Sequence, residues 1–405
     1  MDFSLTEEQK MLQATVRKFV KEQIIPLESE ILRRPYTITQ NRMEFIGPEN
    51  YRRLELLGKE LGLWALWVPT EYGGAGLGLI EYLMVSIELN FTFMLFEFGG
   101  ETPPVELISA SPEPDKIKER YVLPCVRDEK RFISHGIAQT EPQAGSDAAA
   151  IETRAIRQGN NWVLNGRKVF ISEADASDFL IVPAVTDKGK GTHGITMFIV
   201  DRGTDKRPGY KVERIIPCMG GLPICPCELA LDDLVVPGEN VLGPVNDGFI
   251  VAQRFLETRG RLHHSGWLLG MAERAITMAT EYAKKRITFG KPLMDRQAIQ
   301  WMVADSAIDI HAARWMAYYC AWKGDRGENI RQEAAISKVF SDEMGGRVID
   351  RAIQIYGALG TSMDLPLERM WRMARILRIG GGSTEIMRWL IARNIFQGHA
   401  SFKEM

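Results

Sequence analysis

Apolar residues at Leu12, Val16, Phe19 and Val20 recur at helical spacing, and Pro26, Pro69 and Pro103-Pro104 punctuate the pattern. Residues 5–126 therefore predict a helical region. Between 132 and 241 the texture changes to short β-branched and aromatic runs: Trp162-Val163-Leu164, Val169-Phe170-Ile171, Phe179 through Val182, and Ile195 through Val200. Gly159-Asn160-Asn161 and Asn165-Gly166 read as turns between them, predicting an antiparallel sheet closed as a small barrel or sandwich. After Gly248 long amphipathic helices are predicted over 249–286, 297–324, 330–356 and 383–396, and long helices with short links predict a four-helix bundle. The fold class is thus α+β multidomain: an N-terminal helical domain over 1–130, a middle antiparallel β domain over 131–243, and a C-terminal helical bundle over 244–405.

Composition narrows the partners. The 50 Lys and Arg nearly cancel 52 Asp and Glu, which leaves no basic footprint for nucleic acid or an acidic membrane surface. No apolar run approaches the roughly 20 residues of a membrane span, and the first residues have neither a basic start nor an apolar core, so a cytoplasmic protein without membrane insertion is expected. Cys218, Cys225 and Cys227 cluster, but no histidine lies near them and their spacing fits no zinc ribbon or finger. Reduced thiols and no metal are the expectation.

Several local motifs carry candidate chemistry. Ile137 through Asp147 runs a strand into a loop with Pro142 and Gly145, exposing backbone N–H groups and the hydroxyls of Thr140 and Ser146 to a polar ring or a phosphate. An ordinary turn explains it equally well. In Asn165 through Ser172, Phe170 could cover a flat ring and Ser172 could hydrogen-bond it. Lys284, Lys285 and Arg286 complement a helix C-terminus, while Arg286 also has the bidentate geometry suited to a diphosphate. Gln354 through Gly360 ends a helix in glycines. The run Gly380-Gly381-Gly382-Ser383-Thr384-Glu385 opens another, where free N–H groups favour an anion.

In order and spacing these motifs resemble the acyl-CoA dehydrogenase family across the whole chain. The resemblance rests on Thr140-Glu141-Pro142-x-Ala144-Gly145-Ser146-Asp147, Asn165-Gly166-x-Lys168 before Phe170-Ile171-Ser172, Arg286-x-x-Phe289-Gly290, Gln297, Gln354-x-x-Gly357 and Ser383-x-Glu385-Ile386. It implies FAD as cofactor, an acyl-CoA substrate, an electron-transfer flavoprotein as acceptor, and a homodimer or homotetramer. It further implies that Ile137, Ala138, Gln139, Thr140, Gly145 and Ser146 line the isoalloxazine, flanked by Phe170, Ile171 and Ser172. Arg286, Thr288, Phe289 and Gln297 would reach the flavin of a neighbouring subunit, Gln354, Gly357 and Ala358 its adenine side, and Ser383, Thr384 and Glu385 the cofactor at the last helix start. Thr258, Arg259, Arg261, Ser146, Gly381 and Gly382 would meet the substrate. For Arg259 and Arg261 a solvated helix face is the competing reading.

The resemblance also exposes a departure. The family reaction needs a base for the α-proton of a thioester, and most members supply a glutamate at the position of Gly381. A second branch places it before the substrate arginine, here Gly260. Relocated candidates are Glu97 and Glu101, in a stretch with Phe91, Phe93, Phe96 and Phe98 that would desolvate an acid and raise its proton affinity, then Glu257. A surface glutamate explains Glu97 and Glu101 equally well, and His263 and His264 read first as structural histidines. The function implied is α,β-oxidation of an acyl-CoA, branched, cyclic or aryl-bearing because two glycines leave room near the reacting carbons. The alternative is a non-dehydrogenating homologue or supporting subunit.

Overall fold

The computed structural model describes residues 4–34, 41–112, 115–130, 132–134, 136–202, 207–219, 225–255 and 259–402. The chain gathers into two compact units, one of Met1–Tyr36, Gly78–Phe96 and Leu256–Met405, the other of Thr37–Leu77 and Glu97–Phe255.

The first unit is helical. Its central helix, Arg261–Lys285, packs on Gln297–Asp325, Arg331–Tyr356 and Leu79–Leu89. Close approach is built in at small residues: a Cβ on Gly270 would stand 2.3 Å from the Ile87 carbonyl, and one on Gly345 2.8 Å from Leu268. Ser265 and Ser337 join their hydroxyls at 2.8 Å across the same crossing. Leu83, Leu269, Ala313, Ala334, Met344 and Val348 fill the core between these helices. The long helix expected over 249–286 is instead two, Gly248–Phe255 and Arg261–Lys285. An unanticipated helix, Leu367–Leu377, buries Leu367, Met370, Met373, Ala374 and Leu377 along one face and leads into the glycine run.

The second unit is built on a seven-stranded sheet of β1 (Arg154–Gln158), β2 (Asn161–Ser172), β3 (Phe179–Val185), β4 (Ile195–Asp201), β5 (Tyr210–Ile215), β6 (Pro226–Pro237) and β7 (Val241–Leu242), in the order β5-β6-β2-β1-β3-β4-β7. Every pairing is antiparallel except β1 with β3, which meet in parallel at Arg154 and Val185. The sheet curls over its own face: Trp162 on β2 and Phe198 on β4 bring their rings within 5.6 Å, whereas strands three places apart in a flat sheet lie roughly 14 Å apart. β3 and β4 are buried on both faces. Leu180, Val182, Phe198 and Val200 point into the curl, and Phe179, Ile181, Met197 and Ile199 pack on residues 105–126.

Asn165-Gly166 is not the expected turn. Both residues lie inside the continuous strand β2, at a bulge against β6. Glycine is required there because an added Cβ would stand 2.3 Å from Thr153 Oγ1. Asn165 spans the irregularity, donating to Asp233 Oδ1 at 3.0 Å and accepting from the Asp233 N–H at 2.9 Å.

Candidate active site

The glycine run lies between the helices Leu367–Leu377 and Thr384–Phe396 of the first unit. Gly381 and Gly382 take φ of 64° and 94°, the left-handed region that a residue with a Cβ enters at a cost. Ser383 then caps the last helix by accepting from the Ile386 N–H at 3.3 Å. The Glu385 carboxyl is held below its ordinary value by its own backbone N–H and by Ser383.

The space beneath the run is taken. A Cβ on Gly381 would stand 2.7 Å from His264 Nε2 and 3.3 Å from its Cε1. On the other side of the imidazole, Nδ1 faces Asp342 Oδ1 at 3.6 Å. Asp342 is fully buried and pairs at 2.6 Å with the equally buried Lys338, one turn earlier on the same helix. Lys338 also donates to the Leu377 carbonyl at 3.1 Å, which fixes the entry to the glycine run. Burial pushes the Lys338 ammonium down, with Asp342 opposing. Arg261, expected at the substrate, is buried rather than on a solvated helix face. Arg259 lays its guanidinium over the Tyr82 ring, 5.8 Å from the centroid. His263 has structural partners, Tyr82 Oη at 3.0 Å and the Trp267 ring at 4.1 Å. Thr258 and Glu257 lie outside the described residues.

In the second unit, Glu97 and Glu101 share a cavity with Arg42, Tyr51, Glu55 and Glu173. Neither has the environment expected of a desolvated base. Glu97 is 29% exposed and ion-paired with Arg42, whose guanidinium also faces Glu173 at 3.8 Å. Burial disfavours the charge on Arg42, but Glu97 and Glu173 outweigh it and hold the group protonated. Glu101 accepts from the backbone N–H groups of Leu66 and Trp67 at 3.1 and 2.8 Å, which staples its carboxylate to the chain around Leu66. The neighbouring phenylalanines are buried as expected, but on other partners: Phe96 stacks on Phe19, and Phe98 lies over Gly58.

The loop from Ile137 to Asp147 is fixed from below. Glu141 and Lys168 form an ion pair at 2.8 Å with both side chains out of water. Lys168 also donates to the Pro183 carbonyl, while Glu141 accepts from the N–H groups of Glu152 and Thr153. Glu141 and Lys168 are thus a brace rather than ligands. Val169 donates to the Thr140 carbonyl at 2.9 Å, docking the loop on β2. Ala138 and Ile171 have their side chains in the sheet core, so they can offer a ligand only backbone. Thr140, Gln139, Ile137 and Ser172 are partly accessible, and Gly145 and Ser146 are exposed. Phe170 is 57% exposed at a left-handed φ of 57°, where β2 bulges.

The remaining candidates lie at helix ends of the first unit. Arg286 follows the helix Arg261–Lys285, and its ribbon turns at Phe289, which is 98% exposed. Thr288 pairs in that ribbon, and Gln297 opens the next helix, exposed. Gln354, Gly357 and Ala358 are exposed where Arg331–Tyr356 ends. Arg286 stands apart from His264, 22 residues further along and roughly 33 Å of helix away.

Three family models cover this architecture in order: acyl-CoA dehydrogenase N-terminal domain over 6–99, middle domain over 136–234 and C-terminal domain over 246–396. The chain belongs to the acyl-CoA dehydrogenase family. It is 37% identical to the (R)-benzylsuccinyl-CoA dehydrogenase of Thauera aromatica over 98% of this chain and 97% of that one. It is 30% identical to a subunit of the caffeyl-CoA reductase–Etf complex of Acetobacterium woodii, over 96% of this chain and 98% of the other. The solved butyryl-CoA dehydrogenase of Megasphaera elsdenii superposes with a TM-score of 0.84 at 30% identity, covering 98% of this chain and all of that one. This acyl-CoA dehydrogenase is accordingly an FAD-dependent oxidoreductase acting on an acyl-CoA. Its residues fit the cofactor: Phe170 offers an exposed aromatic face, and a Cβ at Gly145 or Gly357 would meet nothing within 4 Å, leaving backbone open to close approach.

Proposed function

We propose that this acyl-CoA dehydrogenase oxidises a branched, cyclic or aryl-bearing acyl-CoA to its 2,3-enoyl-CoA. The observation that carries the reading is the end-to-end likeness to a benzylsuccinyl-CoA dehydrogenase. The room expected beside Gly381 is not there, because His264 fills the space beneath the glycine run.

In this reading Ile137 to Thr140, Gly145, Ser146, Phe170, Ile171 and Ser172 hold the isoalloxazine, with Ile171 and Ala138 contributing only backbone. FAD, when bound there, would supply the two-electron acceptor for the β-hydrogen. Ser383, Thr384 and Glu385 shape the helix start beside it, and Arg261 and Arg259 serve the CoA. Arg286, Thr288, Phe289, Gln297, Gln354, Gly357 and Ala358 serve a second copy of the chain, for which their exposure leaves them available. A homodimer or homotetramer is supported by an exposed stripe of Trp301, Ile308, Trp315 and Trp322. An electron-transfer flavoprotein is the proposed acceptor. No helix among the described residues is long and apolar enough to cross a membrane, and a cytoplasmic location is part of the proposal.

The test is anaerobic mixing of the yellow protein with a panel of straight, branched, cyclic and aryl acyl-CoAs. Rapid flavin bleaching by a branched, cyclic or aryl member is expected. Bleaching only by short straight chains overturns the substrate class, and none at all favours a non-dehydrogenating homologue.

A further inference from the structure

We infer that His264 is the base of this enzyme, standing in for the glutamate missing at Gly381 and positioned by Asp342. The inference deepens the proposed function and rests on it.

The distances carry it. Two carbon–carbon bonds would put a glutamate's carboxyl carbon roughly 2.5 Å from its Cβ. His264 Nε2 stands 2.7 Å from the Cβ position of Gly381, a comparable separation, so the imidazole edge takes up space that a side chain at 381 would need. Gly381 itself is exposed, whereas His264 beside it is buried, at 7% exposure. A glutamate and this histidine cannot coexist there unless one shifts, which explains why a left-handed glycine occupies the position.

The other edge of the ring has a carboxylate beside it without a hydrogen bond: His264 Nδ1 and Asp342 Oδ1 are both buried, and neither has a hydrogen-bond partner among the described residues. Nδ1 faces Asp342 Oδ1 at 3.6 Å, and such contacts are often loose in the absence of substrate. Lys338 at 2.6 Å compensates the buried aspartate. With the proton held on Nδ1 towards that carboxylate, the Nε2 lone pair faces Gly381. Arg261, one turn before His264 on its helix, and Glu385, at the start of the last helix, also bear electrostatically on Lys338.

The step balances simply. The α C–H bond breaks, its proton passes to His264 Nε2, and its electron pair becomes the new C=C bond as the β-hydrogen leaves with its pair to the flavin. The acyl chain is oxidised by two electrons, the flavin is reduced by two, and the positive imidazolium lies against Asp342. In the reverse direction the same imidazolium returns the proton.

The experiment compares wild-type holoenzyme with H264Q, D342N, H264A and H264A/G381E. The readouts are flavin bleaching and wash-in of solvent deuterium at the substrate α-carbon. H264Q should keep its FAD and acyl-CoA affinity while both rates fall by about 10²- to 10⁴-fold. D342N should lose less and shift the His264 tautomer seen by ¹⁵N NMR, which a purely packing role would not do. In H264A/G381E the imidazole is gone and the family acid returns, so both rates should recover above those of H264A. Carbethoxylation of His264 by diethyl pyrocarbonate, read by peptide mass, should slow when the enoyl-CoA product is bound. Wild-type rates in H264Q overturn the inference. If H264Q fails to hold FAD, the double variant decides: recovery supports the assignment, and rates no better than H264A overturn it. A wild-type enzyme that bleaches with no acyl-CoA would instead sink the proposed function, so the two failures are distinct.

Discussion

Lys168 and Glu141 meet at 2.8 Å with no solvent around either side chain, and this pair ties the loop from Ile137 to Asp147 to the strand that carries Phe170. Burial pushes the Lys168 ammonium down to about 8 against the pull of Glu141. A pair so placed is costly to break from one side, because the survivor is left charged in the interior. K168M should destabilise the protein by about 3–5 kcal/mol in urea unfolding, and K168M/E141Q by clearly less. Equal losses in the two variants would show that shape, not charge, is what the brace supplies.

The same pair gives an acid limit. Burial works to raise the Glu141 carboxyl, but Lys168 and the N–H groups of Thr153 and Glu152 outweigh it and hold it below its ordinary 4.5. A carboxyl depressed in the fold adds stability above its unfolded value and loses it as pH falls through the folded one. The urea midpoint of the wild type should therefore drop between about pH 5 and about pH 3 more steeply than that of K168M/E141Q. Parallel pH profiles would exclude Glu141 as a source of acid lability.

For Glu97, paired with Arg42, the expected effect is structural. E97Q leaves the buried Arg42 guanidinium with Glu173 as its remaining acid, at a cost of about 1–3 kcal/mol. Flavin bleaching by a good acyl-CoA should stay within about threefold of wild type, far from the 10²-fold or greater loss of a missing base. Stopped-flow absorbance decides it: abolished bleaching with intact acyl-CoA binding would return the base to Glu97.

The chain's three textures were readable because burial imposes a period of 3.6 on helices and alternation or continuous apolar runs on strands. What escaped reading depended on contacts between distant segments. Asn165-Gly166 has a hairpin signature, yet Thr153 Oγ1, 2.3 Å from an added Cβ, demands glycine for a bulge instead. The phenylalanines around Glu97 suggested a desolvated acid, but Arg42 comes from another part of the chain. His264 lies one turn after Gly260, a hint available in the sequence, and Lys338 and Asp342 have the spacing of an ion pair on one helix face. Only the crossing of the two helices reveals that these three groups belong together.

Asp325 shows how such a crossing can be tested for stability. Its carboxylate accepts from the N–H groups of Leu79 and Ile80, capping a helix 246 residues upstream in the chain. D325A should cost about 1–2 kcal/mol, and D325N less, since an amide oxygen still accepts. Thermal unfolding of the two variants measures this, and identical midpoints for D325A and wild type would remove the cap from the account.

Trp301, Ile308, Trp315 and Trp322 recur every seven residues along one helix and are all more than 40% exposed. Seven residues are close to two helical turns, so the four share one face and form an exposed apolar stripe of the kind that marks interaction surfaces. Burial against a second copy would remove that area, and a charge placed in it would oppose association. W301E/W315E should therefore lower the mass found by analytical ultracentrifugation while leaving the helical circular dichroism in place. The exposed Phe289 and Gln354 are proposed to serve a second copy's cofactor, so the dissociated variant should also release FAD more readily. An unchanged mass would show that this face is not what holds the copies together, whereas a lower mass with undiminished FAD retention would confine each flavin to a single chain.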